Sequence, residues 1–239
     1  MKPVASLAQT IDTVNEAALF RRRMPGAERE GFAAFIARRH DVPGTYGRLF
    51  GLFPEERAQG IRLFTGERVT NAAARHIAGE EACRALLLLN ARSTVARHAL
   101  IDATEDMLTR LGPADAAGPK PDDGQVHWLW PYRGGTYCCG ACSVSLWRHL
   151  TAGGLDDRDR RLARGLECLA TCRKGDGTWR VFPYWYTLSA LVEMQIDPVI
   201  SELRYAAGHC EAALRRKGSS DVYALRRQEL ARHVMDRVA

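Results

Sequence analysis

Lysine is scarce in this chain, with four residues among 34 Lys and Arg, so arginine carries nearly all of the positive charge. Long apolar runs are missing as well. Stretches such as Ala85 to Leu89, five residues, fall far short of the roughly 18 that a membrane span needs, and no span is expected. The N-terminus lacks the unbroken apolar core of a secretion signal. There Val4, Leu7, Ile11, Val14 and Ala18 recur at spacings of three and four with Asp12, Asn15 and Glu16 between them, the pattern of an amphipathic helix. A cytoplasmic location is the expectation. An even cysteine complement is absent too: seven Cys without an export signal point to reduced thiols rather than a disulfide framework. No segment alternates apolar and polar residues over strand length, so the expected fold class is all-α.

What is present suits a folded protein. Hydrophobic residues at 46% and charged residues at 26% of 239 positions support one large domain or two packed lobes. The net charge of +6 would permit nucleic-acid binding, but the arginines are dispersed. Arg21, Arg22 and Arg23 form the only run, and Arg158, Arg160, Arg161 and Arg164 share a stretch with Asp159 at the spacing of a solvated helix face. No nucleic-acid partner is expected.

Helix breakers divide the chain. Met24, Pro25 and Gly26 end the first helix, and Phe32, Phe35 and Ile36 mark a second that ends near His40. Pro54 with Glu55 and Glu56 starts a third, which stops by Gly66. A long helix from Thr70 to Asn90, and another capped by Ser93 and running to Leu111, make an α-hairpin. Gly112, Pro113, Gly118, Pro119, Pro121 and Gly124 then crowd one stretch. This gives an N-terminal helical lobe at residues 1–111, a linker at 112–126 and a C-terminal region at 127–239. In that last region Tyr137 to Thr151 pairs with Asp156 to Lys174, Tyr184 to Gln195 pairs with Val199 to Lys217, and Val222 to Val238 closes the chain. Repeated hairpins bury their apolar faces by stacking on one another. Thr65-Gly66-Glu67-Arg68-Val69 precedes the Thr70 helix much as Gly175-Asp176-Gly177-Thr178-Trp179 precedes the Tyr184 helix, which makes the earlier hairpin a third, degenerate copy.

The stretch Arg164-Gly165-Leu166-Glu167-Cys168-Leu169, with Cys172 and Gly175-Asp176-Gly177-Thr178-Trp179, resembles the Trp-bearing repeat motif of squalene and terpene cyclases. Tyr132-Arg133-Gly134-Gly135-Thr136-Tyr137 and Tyr184-Trp185-Tyr186-Thr187-Leu188 resemble starts of the inner helices in the wider prenyltransferase and cyclase superfamily. The resemblance implies helical hairpin repeats that form an incomplete α/α toroid or solenoid beside the N-terminal lobe. It also implies a hydrophobic small molecule, isoprenoid in the family, in an aromatic-lined pocket shaped by Trp128, Trp130, Tyr137, Trp179, Tyr184 and Trp185. The alternative is a non-catalytic helical-repeat interaction scaffold whose rings are core. Protein prenyltransferases hold zinc with an Asp, a Cys and a His. Here Pro183 takes the His position and no Asp precedes Cys139 or Cys142 at the matching distance, so that zinc site is not expected and no catalytic residue is assigned. Asp156-Asp157-Arg158-Asp159 reads as a helix start. Pairing of two chains as a homodimer would cover exposed repeat edges.

Cysteine offers a second candidate. Cys138, Cys139 and Cys142 on one helix and Cys168 and Cys172 on the next place thiols on antiparallel neighbours, and four of them, Cys139, Cys142, Cys168 and Cys172, suit zinc or an iron-sulfur cluster. A buried stripe of small residues has the same spacing, so the expectation is no cofactor, with zinc as the alternative. His76 with Glu80 and His98 with Asp102 are i, i+4 pairs that suit either a metal or ordinary hydrogen bonds.

Overall fold

Three helices begin where a short polar side chain accepts a free backbone N–H. Ser6 Oγ accepts from Gln9 at 3.0 Å, Ser93 Oγ from Ala96 at 3.3 Å and Asp221 Oδ2 from Ala224 at 2.9 Å. The computed structural model describes residues 6–115, 132, 134–215 and 220–239. Within them the helices are α1 (Leu7–Leu19), α2 (Gly26–Ala37), α3 (Pro54–Gln59), α4 (Ala73–Leu89), α5 (Thr94–Leu111), α6 (Gly140–Ala152), α7 (Arg158–Thr171), α8 (Tyr184–Leu191), α9 (Val199–Leu214) and α10 (Val222–Val238). None is long and apolar enough to cross a membrane.

The chain is mostly helical, as its periodicity predicts, with one small addition. Strands β1 (Ile61–Arg62) and β2 (Arg68–Val69) pair antiparallel, with Ile61 opposite Val69. Two residues are too few for alternation to show in a sequence. The third helix is correspondingly shorter than expected, because the chain leaves it through Gly60 at φ 77°. An isolated antiparallel bridge between Arg173 and Trp179 makes a similar hairpin ahead of α8. Both α4 and α8 are thus entered through a tight β-turn.

Helices α4, α6 and α8 lie side by side, α7 packs on α6 and α9, and α10 covers α8 and α9. Helix α1 packs on α4 and α10, while α2 and α5 pack on each other and on α4. The larger apolar core runs from Ile77, Met107 and Leu111 through Trp147 and Leu150 to Leu188, Leu203 and Leu230. It therefore continues from the N-terminal segment into the C-terminal one, across the expected linker at 112–126. A second core gathers Leu7, Val14, Ile36, Phe50 and Ala82.

A buried polar network crosses this apolar interior. Arg148 on α6 donates to Glu81 on α4 at 2.6 Å, with both side chains nearly inaccessible. The Tyr186 hydroxyl donates to the same carboxylate at 2.6 Å, and Asn15 donates to it at 2.8 Å. Arg84 donates to Asn15 at 3.0 Å and to Glu193 at 2.8 Å, and its third bond reaches the Arg148 carbonyl. Beside Glu81 in the chain, Glu80 meets His149 Nδ1 at 2.6 Å, and neither side chain is exposed. Burial works to raise the Glu81 pKa, but the charges of Arg148 and Arg84 outweigh it and hold the carboxyl below its usual range.

Two predictions follow from the sign of that shift. Glu81→Gln leaves Arg148 buried without its counter-charge and should cost about 3–5 kcal/mol in denaturant unfolding. Because the folded-state pKa is depressed, the stability that Glu81 contributes is present above its unfolded pKa of about 4.3 and is lost as pH falls toward the lower folded value. Unfolding curves taken between pH 7 and pH 3 should show a shallower decline below about pH 4.3 for the variant than for the wild type.

Candidate metal centre

The expected helix from Tyr137 begins three residues late, and that delay creates the site. Cys138 adopts φ 52°, Cys139 is extended at φ −145° and serves as N-cap, and α6 starts at Gly140. Ser143 fastens the entry. Its hydroxyl accepts the Tyr137 N–H at 2.9 Å and lies 2.9 Å from the Cys139 carbonyl. A Cβ at Gly140 would stand 2.1 Å from the Val181 carbonyl oxygen, so only glycine lets α6 start against the loop before α8.

This entry places the three sulfurs of Cys138, Cys139 and Cys142 in the first turn of α6 or just before it. Helix α4 supplies the partner, because its close packing on α6 sets His76 against Cys142. The Nδ1 to Sγ distance is 3.7 Å across 66 residues of sequence. Donor atoms of His76, Cys138 and Cys142 all lie within 4.8 Å of one another, the one such group among the described residues. Cys139, between them in the chain, is the neighbouring thiol, and its charge is coupled to those of Cys138 and Cys142. Cys142 is buried, His76 and Cys139 are half-buried and Cys138 is exposed.

The electrostatics favour the metal-ligating form at Cys139 and His76, whereas Cys138 and Cys142 would have to give up their protons to a metal. Hydrogen bonds from the Cys138 and Cys142 thiols, with the N–H groups of Cys142 and Ala141, outweigh burial and hold Cys139 far below the usual thiol range. The same bonds push Cys138 and Cys142 up, since each keeps the proton it donates. Burial, aided by Arg75 and Arg110, lowers the His76 pKa against the pull of Cys139, so the ring is neutral at pH 7 and can present a lone pair. Tyr46 and Tyr137 hold that ring, with centroids 3.8 and 5.5 Å from it. Arg110 lies 4.9 Å over Tyr46.

The donor set fits a tetrahedral ion. Zn–S bonds of about 2.3 Å and Zn–N bonds of about 2.0 Å give a tetrahedral S···N edge of about 3.5 Å, close to the 3.7 Å between Cys142 and His76.

The sequence-derived candidates distribute differently. The four-thiol arrangement of Cys139, Cys142, Cys168 and Cys172 is not drawn together: Cys142 faces α4, while Cys168 and Cys172 interact with each other at the end of α7. Burial and the neighbouring Cys172 push Cys168 up to about 12. The i, i+4 pairs also part. His76 turns to Cys142 and Glu80 to His149, while Asp102 pairs with Arg48. Among the aromatic candidates, Trp128 and Trp130 lie outside the described residues. Trp179 is buried, stacks on Tyr184 and donates to Glu202 at 2.9 Å. Tyr184 donates to the Ala206 carbonyl, Trp185 stands edge-on to Tyr184, and Tyr137 packs on His76. Asp156, at the start of α7, accepts from Arg161 at 2.7 Å.

Sequence reasoning missed Cys138 and His76 as partners of Cys142. Gly140 is the local signal that helix begins only after Cys139. The long-range contact with His76 has no local signal.

No family model matches the chain, and no curated protein or solved structure matches it. The resemblance to prenyltransferase and cyclase repeats therefore stands on its motifs alone.

Gly140→Ala should cost about 1–3 kcal/mol through forced displacement of the Val181 loop. At this chain length that corresponds to a fall in Tm of several degrees, measurable by differential scanning calorimetry.

Proposed function

We propose that this chain is a helical-repeat scaffold organised around a zinc centre formed by Cys138, Cys139, Cys142 and His76. The observation that carries this reading is the convergence of the Cys138 and Cys142 thiols and a neutral imidazole, from segments 66 residues apart and with donor atoms within 4.8 Å of one another, beside the Cys139 thiol that would complete the set. Four protein donors fill a tetrahedron and leave no open position for substrate, which is the pattern of a structural rather than a catalytic zinc. The metal would then pin the entry of α6 to α4, joining the hairpin α4–α5 to the hairpins α6–α7 and α8–α9. Their side-by-side order, with β-turn entries into α4 and α8, supports an incomplete α/α toroid or solenoid. A pocket for a hydrophobic ligand gains less support, because Trp179 and Tyr184 direct their polar atoms to Glu202 and Ala206 within the packed repeats.

The test is metal analysis of untagged protein. About one zinc per chain is expected, falling to a small fraction of that in Cys142→Ser and in His76→Ala. A strong chelator should lower the thermal midpoint of the wild type and leave that of Cys142→Ser unmoved. Wild-type protein that holds no zinc after reconstitution would overturn the reading.

A further inference from the structure

Cys139 and Cys142 are the N-cap and third residue of α6, separated by Gly140 and Ala141. One helical step of three residues sets their Cα atoms about 5 Å apart, inside the range of roughly 4.4–6.8 Å that a disulfide spans. Adjacent Cys138 and Cys139 are only about 3.8 Å apart at Cα, too close for an unstrained bridge. Cys168 on α7 and Cys172 at its C-terminal cap are both buried and so shielded from solutes. The half-exposed Cys139 sulfur with buried Cys142 behind it is an attacking and resolving arrangement.

We propose that Cys139 and Cys142 form a reversible disulfide when the protein meets hydrogen peroxide, and that the bond expels the metal; the second part rests on the zinc reading of the same site. The Cys139 thiolate attacks one peroxide oxygen and the O–O bond breaks. Cys139 becomes a sulfenic acid, and the departing oxygen leaves as water after taking up a proton. The Cys142 sulfur then attacks the sulfenic sulfur, the S–S bond forms and the S–O bond breaks. The hydroxide released takes the Cys142 proton, or one from solvent, and leaves as a second water. The two sulfurs together give up two electrons and the peroxide is reduced to two waters. The ion is left with Cys138 and His76, half of its donors, and departs.

Reduced, zinc-loaded full-length protein is treated with equimolar hydrogen peroxide while zinc release is followed with a chromogenic chelator and disulfides are mapped by peptide mass spectrometry. The expected result is a Cys139–Cys142 bridge formed in step with zinc release, both reversed by dithiothreitol. The bridge should persist in Cys138→Ser and disappear in Cys142→Ser, where Cys139 should instead be trapped as a sulfenic acid by dimedone. A bridge mapped to any other pair, or zinc retained after the Cys139–Cys142 bridge has formed, overturns the proposal. Protein that holds zinc and forms no bridge overturns it and leaves the zinc reading intact. Protein that holds no zinc but forms the bridge overturns the zinc reading and leaves the dithiol chemistry standing.

Discussion

The contact between Glu81 and Arg148 constrains the rest of the molecule. Two charges that cannot reach solvent must be matched in place, and the match is made by α4 and α6 with help from Tyr186 on α8 and Asn15 on α1. Apolar packing tolerates small slides between helices, whereas a bidentate charge pair in a dry interior does not. Buried pairs of this kind add little net stability over an apolar filling, so its contribution here is better seen as fixing which face of α6 meets α4. Everything described at the thiol cluster inherits that orientation.

Helix existence was legible in the sequence because apolar spacing and breakers such as Pro25, Gly26 and Gly112 are local signals. Ser93 as a cap was equally plain. The small sheet was not, since two-residue strands carry no periodicity. The candidate site was legible only in part. Cysteines at 138, 139 and 142 drew attention as a cluster, but reading them as one helical stripe pointed them toward Cys168 and Cys172. The extended backbone at Cys139 and the positive φ at Cys138 changed their direction. Neither His76 nor the Glu80–His149 contact could be read locally, because each depends on which helices become neighbours.

The aromatic residues show a similar division between presence and role. Their density near the repeat turns suggested either a pocket or a core. In the fold, Trp179 lies between Tyr184 and Tyr205 while its indole N–H meets Glu202, and Trp147 stacks on Phe182 while donating to Gly135. Rings with a polar edge are useful at such turns because they can fill the interior and satisfy a buried acceptor at once.

The α4–α6 seam carries its contacts in a fixed sequence along its length. His76 meets Cys142 at one end, and Glu80 and Glu81 meet His149 and Arg148 about two turns further along α6. A rigid-body slip of either helix would break all of these contacts together, since none is joined to its neighbour by a flexible loop. The seam therefore has no intermediate registers. It should open as a single cooperative unit, so that loosening the thiol end lowers the protection of amides at the ion-pair end as well.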